Sequence, residues 1–322
     1  MSDVRLIISH FLFFIPHLFY IWPCMKNLRA ILMPVAILLG ILIPQAHVLS
    51  PMMPFLIGTM MFLTFVTKIP PQTHGYTFKI EVRALVVSLL LVLVLAGIVK
   101  FFNLPREVLL GGAIIALCPP ANAAPAMAKM LGGSASLALK IFLSGNLIAC
   151  FSIPIVFGYL TGTDAGLSEI AMKIFNTIQP IISIPLAFAL GLRAFYPELA
   201  DRAAKFQKYT MVVWTFSVFV ILSKASFDIR EMGFTELWNS GKLPMMAGIS
   251  LLLCLLLFWL GWFCERNRRP IEGSQSMGQK NTTLVIWIST LYAGPIVALA
   301  PTCYVVWQNL VLSWMSRKIS SN

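Results

Sequence analysis

Charged side chains are scarce in this sequence. Asp, Glu, Lys and Arg make up 11% of its 322 residues, whereas hydrophobic residues make up 58%. Soluble domains carry about 25% charged residues. A soluble chain of this size could not hide so many apolar side chains, because much of any folded surface must face water. The low charge therefore excludes an ordinary soluble domain and favours a protein whose surface lies in lipid.

Motifs for catalysis and metal binding are also missing. The four histidines form no HExxH pair, and there is no Walker A loop, GxSxG elbow or dinucleotide fingerprint. The six cysteines show no paired spacing for disulfides or zinc. We therefore expect no enzyme, no cofactor and no metal site. The net charge of +12 indicates cytoplasmic loops facing anionic membrane lipid rather than nucleic acid.

Apolar runs are long and continuous, which predicts transmembrane helices of roughly 20 residues each. An N-terminal run at residues 6–22 is broken by Pro16 and predicts an interfacial helix, with an extra span as the alternative. Ten stronger runs predict an all-α integral membrane protein with ten spans. They cover residues 30–45, 51–67, 84–102, 108–130, 136–160, 170–195, 205–223, 244–263, 278–293 and 295–314.

Lysine and arginine concentrate in alternate loops of this ten-span arrangement. Cytoplasmic loops carry the excess of these residues. The asymmetry predicts a multi-pass protein with both termini in the cytoplasm, most simply in a bacterial inner membrane.

A short internal repeat relates the two halves of the chain. One common displacement carries Pro34 onto Pro185, Gly40 onto Gly191, and Pro119 onto Pro270. Five spans would then map onto five, and an odd number per repeat forces opposite orientations, as in many secondary transporters. The predicted organisation is a cytoplasmic or interfacial segment at residues 1–29, with five-helix repeats at residues 30–162 and 168–316.

Two of the predicted spans are interrupted. Residues 118–125 contain three prolines, which cannot lie in a regular helix because each lacks an N–H and clashes with the preceding turn. Residues 273–283 of the ninth segment are polar and contain glycine. Paired breaks in two halves indicate a transport site. The alternative is two simple loops, one of them cytoplasmic.

Three stretches resemble the bile acid:sodium symporter superfamily. Residues 104–112, leading into Cys118-Pro119, resemble its "LP-x-E-x-x-x-G" lead-in to a "CPGG-x-x-SN" break. Residues 51–64 resemble its second helix, and residues 277–284 its "E-x-G-x-QN-x-x-L" ninth-helix motif. The resemblance covers about residues 30–315. It implies a panel domain of spans one, two, six and seven, and a core domain of spans three to five and eight to ten. The broken fourth and ninth helices cross in the core.

The sequence departs from these motifs at the positions that would bind sodium. The resemblance implies sodium sites built from hydroxyl, amide and carboxylate oxygens at the breaks. Here the Ser-Asn pair of the motif falls at Ala124 and Pro125, the acidic position at Ser276, and the glutamine at Lys280. Every Asp and Glu is predicted to lie in a loop or at a span end. With a lysine and no buried carboxylate, ordinary sodium coupling is not expected.

Lys280 is the principal candidate, because an intramembrane lysine is costly and marks a functional site. Its ammonium could hold the crossing, bind an anionic substrate, or titrate and couple transport to protons; a solvated lysine at the cytoplasmic mouth is the alternative. Lys140 is similar but could snorkel. The other candidates could line the cavity or only bond helix to helix. The full predicted binding set is Pro119, Pro120, Asn122, Lys140, Ser144, Asn146, Ser276, Gln279, Lys280, Asn281 and Thr282.

These features favour a secondary transporter of small organic anions that works by alternating access. One alternative is a metalloid efflux carrier of arsenite type, in which Cys118 supplies a soft thiolate. Another is a non-transporting membrane sensor. Substrate, direction of transport and oligomeric state stay open at this point.

Overall fold

The computed structural model describes residues 28–67, 76–162 and 167–320. Within these ranges the chain is helical and forms no β-strand. The predicted interfacial helix at residues 6–22 lies outside the described residues, as does nearly all of the predicted N-terminal segment.

Fifteen α-helices account for most of the described chain. In chain order they are α1 Leu28–Leu42, α2 Met53–Phe65, α3 Tyr76–Phe101, α4 Arg106–Leu117, α5 Ala124–Met130, α6 Ala135–Ser152, α7 Gly158–Thr161, α8 Leu167–Phe195, α9 Pro197–Ala204, α10 Thr210–Glu231, α11 Phe234–Asn239, α12 Lys242–Cys264, α13 Pro270–Gly278, α14 Thr282–Tyr292 and α15 Pro295–Ser320. Two 3₁₀-helices, Pro44–Met52 and Lys205–Tyr209, and a π-helical turn, Ile153–Phe157, continue neighbouring α-helices.

Seven helical stretches of the described chain are long and apolar enough to cross a membrane. They are Pro44–Phe65, Phe78–Phe101, Ala135–Thr161, Glu169–Phe195, Thr210–Glu231, Lys242–Cys264 and Pro295–Ser316. Leu32–Leu42 and Thr282–Tyr292 are apolar but shorter. The chain is therefore a multi-pass, all-helical membrane protein, and the count of ten spans stays a prediction.

The boundary difference that matters for the site concerns the third span. Its predicted start was Ala84, whereas α3 begins at Tyr76. The charged residues Lys79, Glu81 and Arg83 suggested a loop, but helix propensity tolerates all three. The extension places Glu81 inside the bundle, where only 4% of its surface is exposed. The expectation that the chain contains no buried carboxylate is therefore wrong.

The helices pack in two groups. In the first, α1 and α2 pack on α10, and α2 packs on α8. In the second, α4 lies among α3, α12 and α15, while α12 also packs on α13 and α15. Gly40 lets α1 approach α10 closely, since a Cβ there would lie 2.8 Å from Cβ of Leu222.

The residues of the predicted repeat occupy matching places only in part. Pro34 and Pro185 each lie inside a helix. Pro119, however, lies in a break between two helices, whereas Pro270 begins α13. A Cβ on Gly191 would meet no atom within 4 Å, in contrast to the tight contact at Gly40. The inverted repeat is therefore not established by these residues.

Candidate functional site

The first break separates α4 from α5 and follows from its prolines. In a helix, the carbonyl of Ala116 would accept a bond from the N–H of residue 120, but that residue is proline and has no N–H. At Cys118 the backbone turns to φ −57° and ψ 131°, so α4 ends at Leu117. The carbonyl groups of Ala116 and Cys118 are left to find partners elsewhere.

The second break separates α13 from α14 without any proline. Gln279 adopts φ −90° and ψ 95°, and residues 279–281 run alongside the first break. The N–H of Ala121 donates to the carbonyl of Gln279 at 2.8 Å, and the N–H of Asn281 donates to that of Pro119 at 2.9 Å. The two breaks therefore cross as a short antiparallel pair centred on Pro120 and Lys280.

The Lys280 side chain completes this crossing. Its ammonium is buried and donates to the carbonyl of Cys118 at 2.8 Å and to that of Ala116 at 3.3 Å. These are the carbonyl groups freed at the end of α4, where the helix dipole favours a positive charge. A covalently attached cation thus stabilises the broken helix end.

Glutamine and tyrosine side chains of α15 support the same crossing. The Gln308 amide oxygen accepts the backbone N–H of Lys280 at 3.1 Å, and its amide nitrogen lies 3.5 Å from the Thr282 hydroxyl. The Tyr304 hydroxyl donates to the carbonyl of Gly278 at 2.7 Å. Backbone groups on both sides of the second break therefore have buried partners.

A small cavity lies beside the crossing and is lined by one acidic and one basic side chain, Glu81 and Lys280. Its wall includes Glu81 and Ser88 on α3, Pro120 and Lys280 at the crossing, and Ser276 on α13. The Ser276 hydroxyl donates to Oε1 of Glu81 at 3.3 Å. Glu81 and Lys280 line the same cavity, but they do not approach within the 4.0 Å of a direct ion pair.

Gly145 on α6 makes room for this arrangement. A Cβ at Gly145 would lie 2.7 Å from Cδ of Pro120 and 2.9 Å from Oε2 of Glu81. Both distances are shorter than ordinary van der Waals contact. The missing side chain therefore lets the crossing and the carboxylate lie against α6.

Several buried amide and hydroxyl groups near the crossing have no hydrogen-bond partner among the described residues. Both side-chain atoms of Gln275 and of Gln279 belong to this set, together with one atom each of Asn122, Asn146, Asn281 and Thr283. An unsatisfied buried polar group costs about 1–3 kcal/mol. A cluster of them is typical of a site that binds water, an ion or a polar ligand.

The structure separates the predicted site residues into two sets. Pro119, Pro120, Ser276 and Lys280 line the cavity. A second group lies at the crossing but does not line the cavity: Gln279 and Asn281 pair through their backbone, Thr282 neighbours Gln308, and Asn122 is buried. The side chains of Ser144 and Asn146 instead bond to carbonyl groups of their own helix, α6.

Lys140 is the clearest departure from the predicted set. Its ammonium is buried without a hydrogen-bond partner among the described residues, but it does not line the cavity. Conversely, Glu81, Gly145, Tyr304 and Gln308 were not predicted. Gln308 could have been noticed as an amide within an apolar helix, whereas Glu81 lay outside the predicted third span.

No family model matches the chain. The chain is similar to the "Uncharacterized sodium-dependent transporter YocS" of Bacillus subtilis (strain 168), with 21% identity over 236 residues, 70% of each protein. It is also similar to the "Probable sodium/metabolite cotransporter BASS4, chloroplastic" of Arabidopsis thaliana, with 24% identity over 200 residues. That match covers 60% of this chain and 44% of the relative. Both relatives are members of the bile acid:sodium symporter family, so the resemblance is confirmed at low identity. Their names support a membrane transporter rather than an enzyme.

Proposed function

We propose that this protein is a secondary transporter of small organic anions, in which the Lys280 ammonium takes the place of a bound sodium ion. The observation that carries the proposal is the buried ammonium at the crossing, bonded to the carbonyl groups of Cys118 and Ala116. A cation fixed by a covalent bond stabilises the broken helix without an ion from solution. A sodium ion at the same place would be repelled by the ammonium.

An organic anion suits the remaining chemistry of the site. An ammonium has three hydrogens, and two of them face the carbonyl groups of α4. The third hydrogen is available to the carboxylate or sulfonate group of a substrate. The unsatisfied amide nitrogens of Gln275, Gln279 and Asn281 add neutral donors in the same region. Charge-assisted hydrogen bonds are about twice as strong as neutral ones, so Lys280 would provide the main anchor.

The helix packing supports a mechanism of alternating access. In our proposal, α1, α2, α8 and α10 form a panel, while α3–α6 and α12–α15 form a core that carries the crossing. The packing of α1 and α2 on α10, and of α4 among α3, α12 and α15, agrees with this division. The proposal includes ten spans in two inverted sets, with both termini on the cytoplasmic side of a bacterial inner membrane.

Uptake into proteoliposomes tests the transport role. The purified protein is first screened by thermal shift against carboxylates, sulfonates and ketoacids, in sodium and in choline buffers, because a ligand that binds the folded state raises its stability. Compounds that stabilise the protein are then used as labelled substrates. We expect saturable uptake that does not require sodium, and we expect Lys280→Ala to abolish it.

Lys100→Ala is the matched control, since Lys100 is an exposed lysine at the end of α3. It should transport at the wild-type rate. Unchanged uptake in Lys280→Ala would contradict the role of the ammonium. Strictly sodium-dependent uptake by the wild-type protein would contradict the sodium-free mechanism while leaving the transport role intact; the names of both relatives make this an essential comparison.

Metalloid efflux is a second candidate because the Cys118 thiol lines the same cavity and is 2% exposed. Among the described residues, however, no group of three His, Cys, Asp or Glu side chains is placed to hold a metal ion. A Cys118→Ser strain distinguishes the two functions. Increased sensitivity to arsenite would favour efflux, whereas unchanged sensitivity together with anion uptake would favour the leading proposal.

A further inference from the structure

We propose that Glu81 is the exchangeable proton site of this transporter and that one proton moves together with one monovalent organic acid anion. The inference rests on the proposed transport function and names its coupling ion and substrate charge. It starts from the position of Glu81, a buried carboxylate that shares the cavity with Lys280.

The surroundings of Glu81 leave it available to a proton. Its Oε1 accepts one hydrogen bond, from the Ser276 hydroxyl, and no direct ion pair joins it to Lys280. A buried carboxylate usually has a paired cation or several donors. The Lys280 ammonium directs two of its hydrogens to the carbonyl groups of α4 instead. Glu81 therefore shares a cavity with the ammonium and yet is not fixed in a salt bridge with it.

Few other charged groups face this carboxylate. From the crossing come Lys280 and Cys118. The remaining titratable side chains on the helices packed against α3 are Lys140 and Cys150 on α6, Arg106 and Glu107 on α4, and Glu272 on α13. Glu272 accepts the backbone N–H of Ser134 at 2.6 Å. On α3 itself, Arg83 pairs with Glu265, while Lys79 and Lys100 lie nearer its two ends.

The charges of the cavity then define the coupling. When Glu81 is ionised, its negative charge cancels the positive charge of Lys280. The carboxylate then also competes with any anion for the ammonium. When a proton from water binds Glu81, the pair carries one net positive charge. A monovalent carboxylate that binds Lys280 restores neutrality, which lowers the cost of moving the loaded site through a medium of low dielectric constant. Release of the anion and of the proton returns the pair to its starting state, so the full cycle moves no net charge.

Infrared difference spectroscopy tests the proton site without knowledge of the substrate. Spectra of the purified protein are recorded at two pH values that both lie above the range, about pH 4, in which exposed carboxylates titrate. The carbonyl band of a protonated carboxylic acid is followed in their difference. We expect such a band in the wild-type protein and in Glu198→Gln, which alters an exposed carboxylate of α9. The band should be lost in Glu81→Gln and shifted in Glu81→Asp. A band that persists in a folded Glu81→Gln protein would overturn the inference.

Flux measurements test the coupling with lactate, pyruvate and benzoate as monovalent probes and succinate as a divalent comparison. An inward proton gradient should accelerate uptake of the monovalent probes in the wild-type protein. Glu81→Gln should lose the acceleration, while Glu81→Asp, which keeps a titratable group, should retain part of it. The gradient should not generate a membrane potential during uptake.

The outcomes separate the two proposals. Uptake that is equally fast with and without a proton gradient would overturn the assignment of Glu81 and leave the transport role standing. Absence of uptake with every probe, in a protein that elutes as a single folded species, would overturn the proposed function and the coupling that rests on it. Gradient-driven uptake that survives in Glu81→Gln would place the proton elsewhere.

Discussion

Lys280 combines two roles at one position. Its backbone belongs to the antiparallel pair between the two breaks, and its side chain satisfies the carbonyl groups of the broken α4. The position corresponds to a glutamine in the motif that residues 277–284 resemble. A change from lysine to glutamine would remove the ammonium and supply an amide oxygen, which leaves Glu81 as the nearest buried charge.

Lys280→Gln should therefore create a response to sodium. The amide oxygen, the carbonyl groups of Ala116 and Cys118, and the Glu81 carboxylate are oxygen ligands of the kind that hard cations select. We expect sodium chloride to raise the unfolding temperature of the variant above its value in choline chloride of equal ionic strength. The wild-type protein should show no such difference.

The double variant Lys280→Gln/Glu81→Gln is the control for this gain. Without the carboxylate, the site offers only neutral oxygens, and the sodium response should disappear. Equal stabilisation of the single and double variants by sodium would mean that the ion binds elsewhere.

At the same scale, the sequence predicted Lys280 but not Glu81. Lys280 is visible because it falls inside a predicted span, at the glutamine position of the motif that residues 277–284 resemble. Glu81 stands between Lys79 and Arg83, and three charges in five residues indicate a loop. Its burial depends on α6 and α13 packing against the first turns of α3, and no local pattern in the chain records those contacts.

At the scale of helices, the two breaks have different origins. The first is encoded locally, because Pro119 and Pro120 cannot donate hydrogen bonds to α4. The second contains no proline, and residues 279–281 are held extended by the hydrogen bonds that they exchange with residues 119–121. The sequence could therefore predict where α4 ends, whereas the conformation of the second break depends on the first.

The close approach of α6 to the crossing gives a prediction at this scale. Gly145→Ala should destabilise the protein by about 1–3 kcal/mol, because its methyl group would overlap Pro120 and the Glu81 carboxylate. Thermal unfolding in detergent measures the loss. A lower rate of anion uptake should accompany it, since the crossing must shift away from α6.

Gly97→Ala is the matched control for this substitution. Gly97 also lies within a long helix, α3, but a Cβ there would meet no atom within 4 Å. Alanine has the higher helix propensity by about 1 kcal/mol, so this variant should be as stable as the wild-type protein or more so. Equal effects of the two substitutions would show that Gly145 provides no special clearance.

At the scale of the whole molecule, the proposed mechanism requires the panel and the core to move relative to each other. A second small cavity lies where α10 of the panel meets α14 and α15 of the core, and its wall includes Ala225 and Ala298. The Lys224–Asp228 ion pair lines the same cavity. A covalent link across this boundary would prevent the movement, whereas a link within the panel would not.

A pair of cysteines at Ala225 and Ala298 should therefore block transport when joined by a short bifunctional thiol reagent. The experiment uses a background in which the half-buried Cys264 and Cys303 are serine, and mass spectrometry measures the fraction of linked protein. We expect uptake to fall in proportion to that fraction. The control pair is Ile41→Cys with Ser226→Cys, because the Ser226 hydroxyl contacts the carbonyl of Ile41 at 2.8 Å and both lie within the proposed panel. Full uptake by the linked Ala225–Ala298 pair would contradict movement between panel and core, since a rigid boundary there is incompatible with alternating access.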